Sequence, residues 1–265
     1  MCFFRELLMP GSRPRFPHER QQQMIEVIRE RRHVGTAELA GLLDISLPTV
    51  RRDLTILEKA GIVSRTHGGV VAKEATGVAP EPLLLEKLRH NQGAKRRIGA
   101  EAASRVNDGQ IVLLDAGTTA LAVAQALAGR RVTVVALDLK VAEAAAVGRT
   151  DVLVVGGQVR NGYYSLTGTW ARQTLASLRA DIYFLGADGV AGTSLSATTF
   201  DDAEIKRVAM ECCERTIAVV DHTKFATRSV AEVCDLGSLD ELISDRDLGI
   251  LPPAMMERIV RLTRA

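Results

Sequence analysis

The stretch that most constrains this chain is Ser46 to Gly61, SLPTVRRDLTILEKAG. Val50, Leu54 and Leu57 recur at i, i+4 and i+7, which predicts an amphipathic helix. At 3.6 residues per turn, Pro48, Arg52, Thr55 and Lys59 fall on the opposite side, with Thr49 and Ile56 beside them and Arg51 on a flank. Ser46 suits the N-cap. Pro48 is tolerated because the first turn has no N–H bonds to lose, and Gly61 stands where a C′ glycine ends a helix. One face is therefore expected to anchor in a small core. The other offers a guanidinium, a hydroxyl and an ammonium to something outside.

A charged helix face is ordinarily just solvated, so the flanks carry the distinction. Upstream, Thr36 is placed to cap a short helix, AELAGLL, whose Leu39, Leu42 and Leu43 can pack on the longer one. A tight Asp44-Ile45-Ser46 turn joins the two, the organisation of a helix-turn-helix. Downstream, IVSRTHGGVV alternates apolar and polar residues, turns at Gly68-Gly69 and starts back with Val70-Val71. Helix, turn, helix and a basic-tipped hairpin make a winged helix.

The segment IRERRHVGTAELAGLLDISLPTVRRDLTILEKAGIVSRTHGG resembles the DNA-binding domain of the DeoR family of bacterial transcriptional regulators. The family pattern is matched by Ser46, Thr49, Val50, Arg51, Arg52, Asp53 and Leu54, and by Arg65, His67, Gly68 and Gly69, with Val63 where leucine is frequent. The resemblance implies a double-stranded DNA operator as partner. Arg52 and Thr49 would read base edges; Arg51, Lys59, Arg65 and His67 would hold phosphates or enter the minor groove, with Ser46, Thr55 and Gly68 completing the DNA-facing set.

Length and charge agree with two domains. A chain of 265 residues is comfortable for a small head and a larger body, and 46% hydrophobic residues can fill real cores. Arg13 to Lys73 holds 11 Lys/Arg against 7 Asp/Glu, a net of +4. The first twelve residues cancel, so an overall +2 leaves −2 for everything after Lys73. A basic head on a slightly acidic body fits a nucleic-acid-binding module joined to a sensor. The four cysteines (Cys2, Cys212, Cys213 and Cys234) form no C-x-x-C pair, and no histidine sits at metal spacing, so neither metal nor cofactor is expected. Unpaired cysteines suit a reducing cytosol. No apolar run reaches membrane-span length, and MCFFRELLMP is too short for a signal peptide. Residues 1–17 read as a poorly ordered extension, 18–73 as the head, 74–90 as a linker and 91–265 as the effector domain.

The body reads as alternating strands and helices. IVLLD, VTVVAL, DVLVVGG, ADIYFLGADGV, TIAVVD and ELISD are expected as strands, the last of them final, and PPAMMERIVRL as a closing helix. Continuous apolar strands between helices argue a mainly parallel α/β sheet covered on both faces. Ligands of such sheets bind outside the strands' carboxyl ends. Candidates there are Asp115, Gly117, Thr118 and Thr119, as a small-residue anion loop opening a helix; Gly156 and Gly157; Asp188; and Asp221 with Lys224. Glu204 and Lys206 lie near a helix start. Each alone could be an ordinary turn or a surface charge; convergence at one edge distinguishes them.

The second half also resembles the DeoR effector domain, through Lys95 in AKRRIG, DAGTT, GGQVR, LTG, ADIYFLGADG, AEIKR and VVDHTKF in the family's order. That domain has the fold of ribose-phosphate isomerases, and the resemblance implies a phosphorylated sugar as effector and a homo-oligomer as the working form. Two departures stand out. Ala136-Leu137 replaces a frequent Thr-Asn, and Leu185 replaces one of the two acids in the isomerases' Asp-Gly-Ala-Asp. Losing an acid weakens proton shuttling, so a binding pocket rather than an active site is expected, in a regulator acting as a repressor. An isomerase-like enzyme with an appended head, or a winged helix that binds protein instead of DNA, are the alternatives.

Overall fold

The structure is a computed structural model that describes residues 17–31, 33–59, 63–66, 69–72, 81–245 and 262–265. The chain divides into two compact units, Met1–Pro80 and Glu81–Ala265.

In the first unit, α1 (Pro17–Arg31) is followed by β1 (His33–Gly35), α2 (Thr36–Leu42), α3 (Leu47–Lys59), β2 (Val63–Thr66) and β3 (Gly69–Ala72). The three strands form one antiparallel sheet with β3 in the middle, so β1 joins the expected hairpin as a third strand. Met24, Ile25 and Ile28 of α1 are fully buried, as are Leu39, Val50, Leu54, Leu57, Val63 and Val70. Leu42, expected inside, is exposed: a seven-residue helix turns only one edge to the core. The cap of α2 also differs. Gly35 rather than Thr36 is the N-cap, and the Glu38 carboxylate accepts from its N–H. Asp44 takes a left-handed φ of 49° in the turn before α3. Ser46 sits at the N-terminus of α3, its Oγ accepting the Thr49 N–H at 3.4 Å.

The second unit runs α4 (Leu84–Arg89), α5 (Gln92–Ala103), β4 (Ile111–Leu114), α6 (Thr118–Leu127), β5 (Thr133–Ala136), α7 (Leu139–Ala145), β6 (Asp151–Val154), β7 (Gln158–Val159), β8 (Leu166–Thr167), α8 (Thr169–Ala176), β9 (Ala180–Leu185), β10 (Gly189–Ala191), β11 (Ser194–Ala197), α9 (Phe200–Glu211), β12 (Cys213–Val219), β13 (Ala231–Asp235), β14 (Glu241–Ser244) and β15 (Leu262–Arg264). Seven strands build a wholly parallel sheet in the order β15-β14-β12-β9-β4-β5-β6. The central strands β4, β5 and β9 are largely apolar because both faces are covered, whereas the edge strand β6 leaves Leu153 and Val154 exposed. Val112, Leu114, Ile182 and Phe184 pack on one side with Ile98, Val123 and Leu127; Leu113, Tyr183 and Leu185 pack on the other with Leu175, Ile205 and Ala209.

ADIYFLGADGV, expected as one strand, is broken after Leu185. The Gly186 N–H is taken by the Asp115 side chain at 2.7 Å, and β10 joins a separate antiparallel sheet with β11 and β13. ELISD is not the last strand, since β15 pairs beyond it. The expected closing helix lies, except for Leu262, outside the described residues, as do positions 1–16 of the expected extension. The second unit begins at Glu81, inside the segment that composition assigns to a linker: Leu83 and Leu84 are buried in it.

Strand order reverses between β4 and β9. Chain following β4 moves outward through β5 and β6; chain following β9 moves the other way through β12 and β14. The crevice above a parallel sheet opens at such a switch point.

Candidate functional site

The head presents its outer face through α3. Val50, Leu54 and Leu57 are buried, while Arg51, Arg52 and Thr55 are exposed. The guanidinium groups of Arg51 and Arg52 have no ion pair or hydrogen bond among the described residues, which leaves their donors free for an outside acceptor. Asp53, third in the RRD run, points the other way. It is 1% exposed and takes an ion pair from Arg20 and a 3.1 Å hydrogen bond from Gln21 Nε2, so it pins α1 against α3.

Other predicted head residues are partly occupied within the unit. Ser46 Oγ and Thr49 Oγ1 lie 2.7 Å apart. Arg65 Nη2 donates to the Arg51 carbonyl at 2.9 Å and to Thr55 Oγ1 at 2.6 Å, and its Nε is 3.2 Å from Glu58 Oε2. Arg65 thus braces the first strand of the wing on α3. Arg65→Ala should cost less than about 1 kcal/mol of stability, since this network is exposed. It should weaken DNA binding to all sequences alike, through a looser wing; chemical denaturation and binding to two unrelated DNA sequences would measure both. The side chain of Lys59, and all of His67 and Gly68, lie outside the described residues.

The second unit holds an open cleft of about 590 Å³, its mouth included, at the β4/β9 switch point. Its walls are the Ala116–Thr119 loop, Gly186–Asp188, Asp202 and Lys206 of α9, Lys224, Arg160 with Tyr163 and Ser165, and Glu81 with Leu84 and Lys87. Gly117, at φ 101°, is a conformation that glycine alone adopts readily; it swings the chain out of β4 and into α6. The Asp138 carboxylate accepts the Gly117 N–H at 3.3 Å and also caps α7 through Lys140 and Val141. The free N–H groups of the first turn of α6 stand at the cleft wall beside the hydroxyls of Thr118 and Thr119.

Beneath the cleft lies a buried charge cluster. Lys206 Nζ is 2.5 Å from Asp115 Oδ2 and 3.5 Å from Asp202 Oδ2, with side-chain exposures of 5%, 2% and 10%. Burial alone would lower the Lys206 pKa, but Asp115 and Asp202 outweigh it and hold the ammonium charged. Burial raises Asp202 despite Lys206. Lys87 lies 2.7 Å from Glu81 and 3.1 Å from Asp188. Asp188 also accepts from the Thr198 N–H and hydroxyl at 3.0 and 2.6 Å. Burial pushes Asp188 upward, yet Lys87 and Thr198 hold it well below the usual carboxylate range. Lys224 is the exception: no ion pair or side-chain hydrogen bond engages its ammonium among the described residues. Burial and the neighbouring Lys87 lower its pKa, against Asp188 and Asp221. The Ser165 Oγ is likewise buried without a partner among those residues.

The structure gathers Gly117, Thr118, Thr119, Asp188, Lys206 and Lys224 at one cleft, with Asp115 directly beneath. Other predicted positions stand apart. Gly157 is needed for packing, because a Cβ there would lie 2.6 Å from the Thr167 carbonyl oxygen; neither it nor Gly156 lines the cleft. Glu204 pairs with Arg172 at 2.5 Å on the surface, joining α9 to α8. Lys95 donates to the carbonyls of Lys87 and His90, both at 2.7 Å, and so closes the C-terminal end of α4. Asp221 accepts from Thr223 and from Asn91 behind Lys224. Ala136 and Leu137 are buried and are not among the residues that line the cleft. Glu81, Lys87, Arg160, Tyr163 and Asp202 escaped the sequence reading. Only Arg160, in GGQVR, carried a signal.

Among the described residues no three or more His, Cys, Asp or Glu gather as a metal site, and no helix is long and apolar enough to cross a membrane. Two family models match the chain. The DeoR-like helix-turn-helix domain covers residues 20–76 and the DeoR C-terminal sensor domain covers residues 90–246. The chain is 30% identical to the HTH-type transcriptional regulator GolR of Listeria innocua, over 88% of this chain and 92% of that one. It is 31% identical to the transcriptional repressor AccR of Agrobacterium fabrum, over 86% and 89%. Ribose 5-phosphate isomerase A of Methanocaldococcus jannaschii superposes with a TM-score of 0.39 at 19% identity, covering 52% of this chain and 56% of that one. With a free arginine pair on the outer face of α3 and a charged cleft at the switch point of a second unit, the chain belongs to the DeoR family and is a DNA-binding transcriptional regulator.

Proposed function

We propose that this regulator is a repressor of carbohydrate-metabolism genes whose effector is a phosphorylated sugar bound in the switch-point cleft. The observation that carries the reading is the convergence of one helix N-terminus, two threonine hydroxyls and the unpaired ammonium of Lys224 on a cleft also lined by carboxylates. N–H groups and ammonium suit a phosphoryl group, while Asp188, Asp202 and Ser165 can bind sugar hydroxyls. In the head, Arg52 and Thr49 read base edges, and Arg51, Lys59, Arg65 and His67 contact the backbone, with Ser46, Thr55 and Gly68 shaping that face. The working form is a cytoplasmic homo-oligomer, because two heads on one operator need a two-fold assembly.

Catalysis is not part of this reading. Leu185 is fully buried at the end of β9, and Asp188 is held ionised by Lys87 and Thr198, so it is a weak base for proton abstraction. Purified protein should therefore not turn over ribose 5-phosphate. Turnover abolished by Asp188→Asn would restore the enzyme.

Lys224→Met tests the cleft. Calorimetry should show that sugar phosphates bind the wild type, that their unphosphorylated parents do not, and that the variant loses about tenfold or more in affinity, the worth of one charge-assisted contact. Because the Lys224 pKa is lowered, its charge is complete well below its folded pKa and is lost as pH rises through it. Wild-type affinity should accordingly fall with rising pH earlier than for an ordinary lysine, and Lys224→Met should lack that step. Equal affinity in both proteins would place the anion elsewhere.

A further inference from the structure

Glu81 is the first residue of the second unit, immediately beyond the residues that connect it to the DNA-binding head. Its carboxylate is not free in solvent but 9% exposed at the cleft wall. Oε1 is 2.7 Å from Lys87 Nζ, and Oε2 is 2.8 Å from Arg160 Nη2. Its carbonyl accepts the Tyr163 hydroxyl at 2.9 Å, and the Arg160 guanidinium stacks 4.5 Å over the Tyr163 ring. Three residues on, the Leu84 N–H bonds the Gly162 carbonyl at 3.2 Å. The entry segment of the unit is therefore fastened to the 160–163 loop by one carboxylate, one carbonyl and one amide.

Charge counting shows what is unusual here. Lys206 is balanced by Asp115 and Asp202, and Lys87 by Asp188 as well as Glu81. The ion pair of Arg160 is with Glu81. A guanidinium and an ammonium converging on two oxygens form the arrangement that also binds a phosphoryl group. Glu81 supplies those oxygens from the chain itself.

We propose that Glu81 occupies one side of the effector's anion subsite, and that a phosphoryl group held at the α6 N-terminus and Lys224 competes with it for Lys87 and Arg160, which line the same cleft. The proposal rests on the cleft being the effector site. A dianion in the cleft draws the two cations more strongly than a single carboxylate does, and each bond moved to it is lost to Glu81. Release of Glu81 loosens residues 81–84, where the chain enters the second unit. Anion binding and anchoring of that segment are then linked, and each weakens the other by the same factor.

The test uses the full-length protein and inorganic phosphate, at ionic strength matched with chloride. Glu81→Gln keeps the size and removes the charge, so phosphate should bind it roughly fivefold or more tighter than the wild type, the lower end of usual coupling factors. Equal or weaker binding by Glu81→Gln, with Lys224→Met still impaired, overturns the competition and leaves the cleft as the anion site. No phosphate binding by either the wild type or Glu81→Gln overturns both. Hydrogen exchange on the wild type decides the matter even if the variant folds poorly. Saturating phosphate should speed exchange of the Leu84 amide, which bonds the Gly162 carbonyl, whereas unchanged or slower exchange there contradicts displacement.

Discussion

Lys206→Met is expected to destabilise the second unit by about 3–5 kcal/mol, the range for removing one partner of a buried ion pair. The ammonium sits between Asp115 and Asp202, both nearly solvent-free, and nothing else compensates them fully. Asp115 keeps hydrogen bonds from the Ala116 and Gly186 N–H groups, but Asp202 would retain a buried charge with little to balance it. In a unit of this size the unfolding midpoint should drop by roughly 10 °C. The sign of the pH dependence follows from burial. Once the ammonium is gone, burial favours the protonated form of Asp202 in the folded state, so the deficit is full at neutral pH and shrinks as pH falls. Lys206→Met/Asp202→Asn should recover much of the loss at neutral pH. A thermal melt of Lys206→Met that matches wild type would mean the cluster is not the strut it resembles.

The second large effect lies in the head. Arg52→Ala should cost about 1–3 kcal/mol on the operator and relax sequence preference at one base pair, because a bidentate base contact carries that discrimination. Arg51→Ala should instead weaken binding to any duplex and reduce the slope of affinity against salt by about one counterion. Titrations of operator and scrambled DNA at several salt concentrations separate the two behaviours. If the variants exchange these signatures, the assignment of Arg51 and Arg52 is reversed.

The residues themselves explain why some features were legible in the sequence and others were not. The apolar stripe of α3 could be read because its period is geometric and local. Both cores of the parallel sheet could be read too, since strands covered on both faces are mainly apolar. Asp53 could not: a carboxylate within a basic run looks solvated, and only the tertiary approach of Arg20 and Gln21 makes it an interior anchor. Glu81 was hidden for a related reason. Gly/Pro/Ala-rich composition suggests a linker, yet says nothing of where Glu81 docks. Glu204 fails in the opposite direction. Its position near a helix start suggested a site, whereas Arg172 on the neighbouring helix claims it for the surface. Lys95 was found as a functional lysine by resemblance, but its donors go to two backbone carbonyls that terminate α4. Long-range pairing of charged groups is the information that one-dimensional periodicity lacks.

An anion in the cleft is expected to change DNA binding by the head. The most direct measurement is fluorescence anisotropy of the full-length protein on labelled DNA from the neighbourhood of its own gene, with sugar phosphates and their unphosphorylated parents added in turn. The expected result is specific binding that one phosphorylated sugar weakens and its parent leaves unchanged, with the response lost in Lys224→Met. Specific DNA binding that no phosphorylated sugar shifts, at concentrations saturating the cleft by calorimetry, would contradict it.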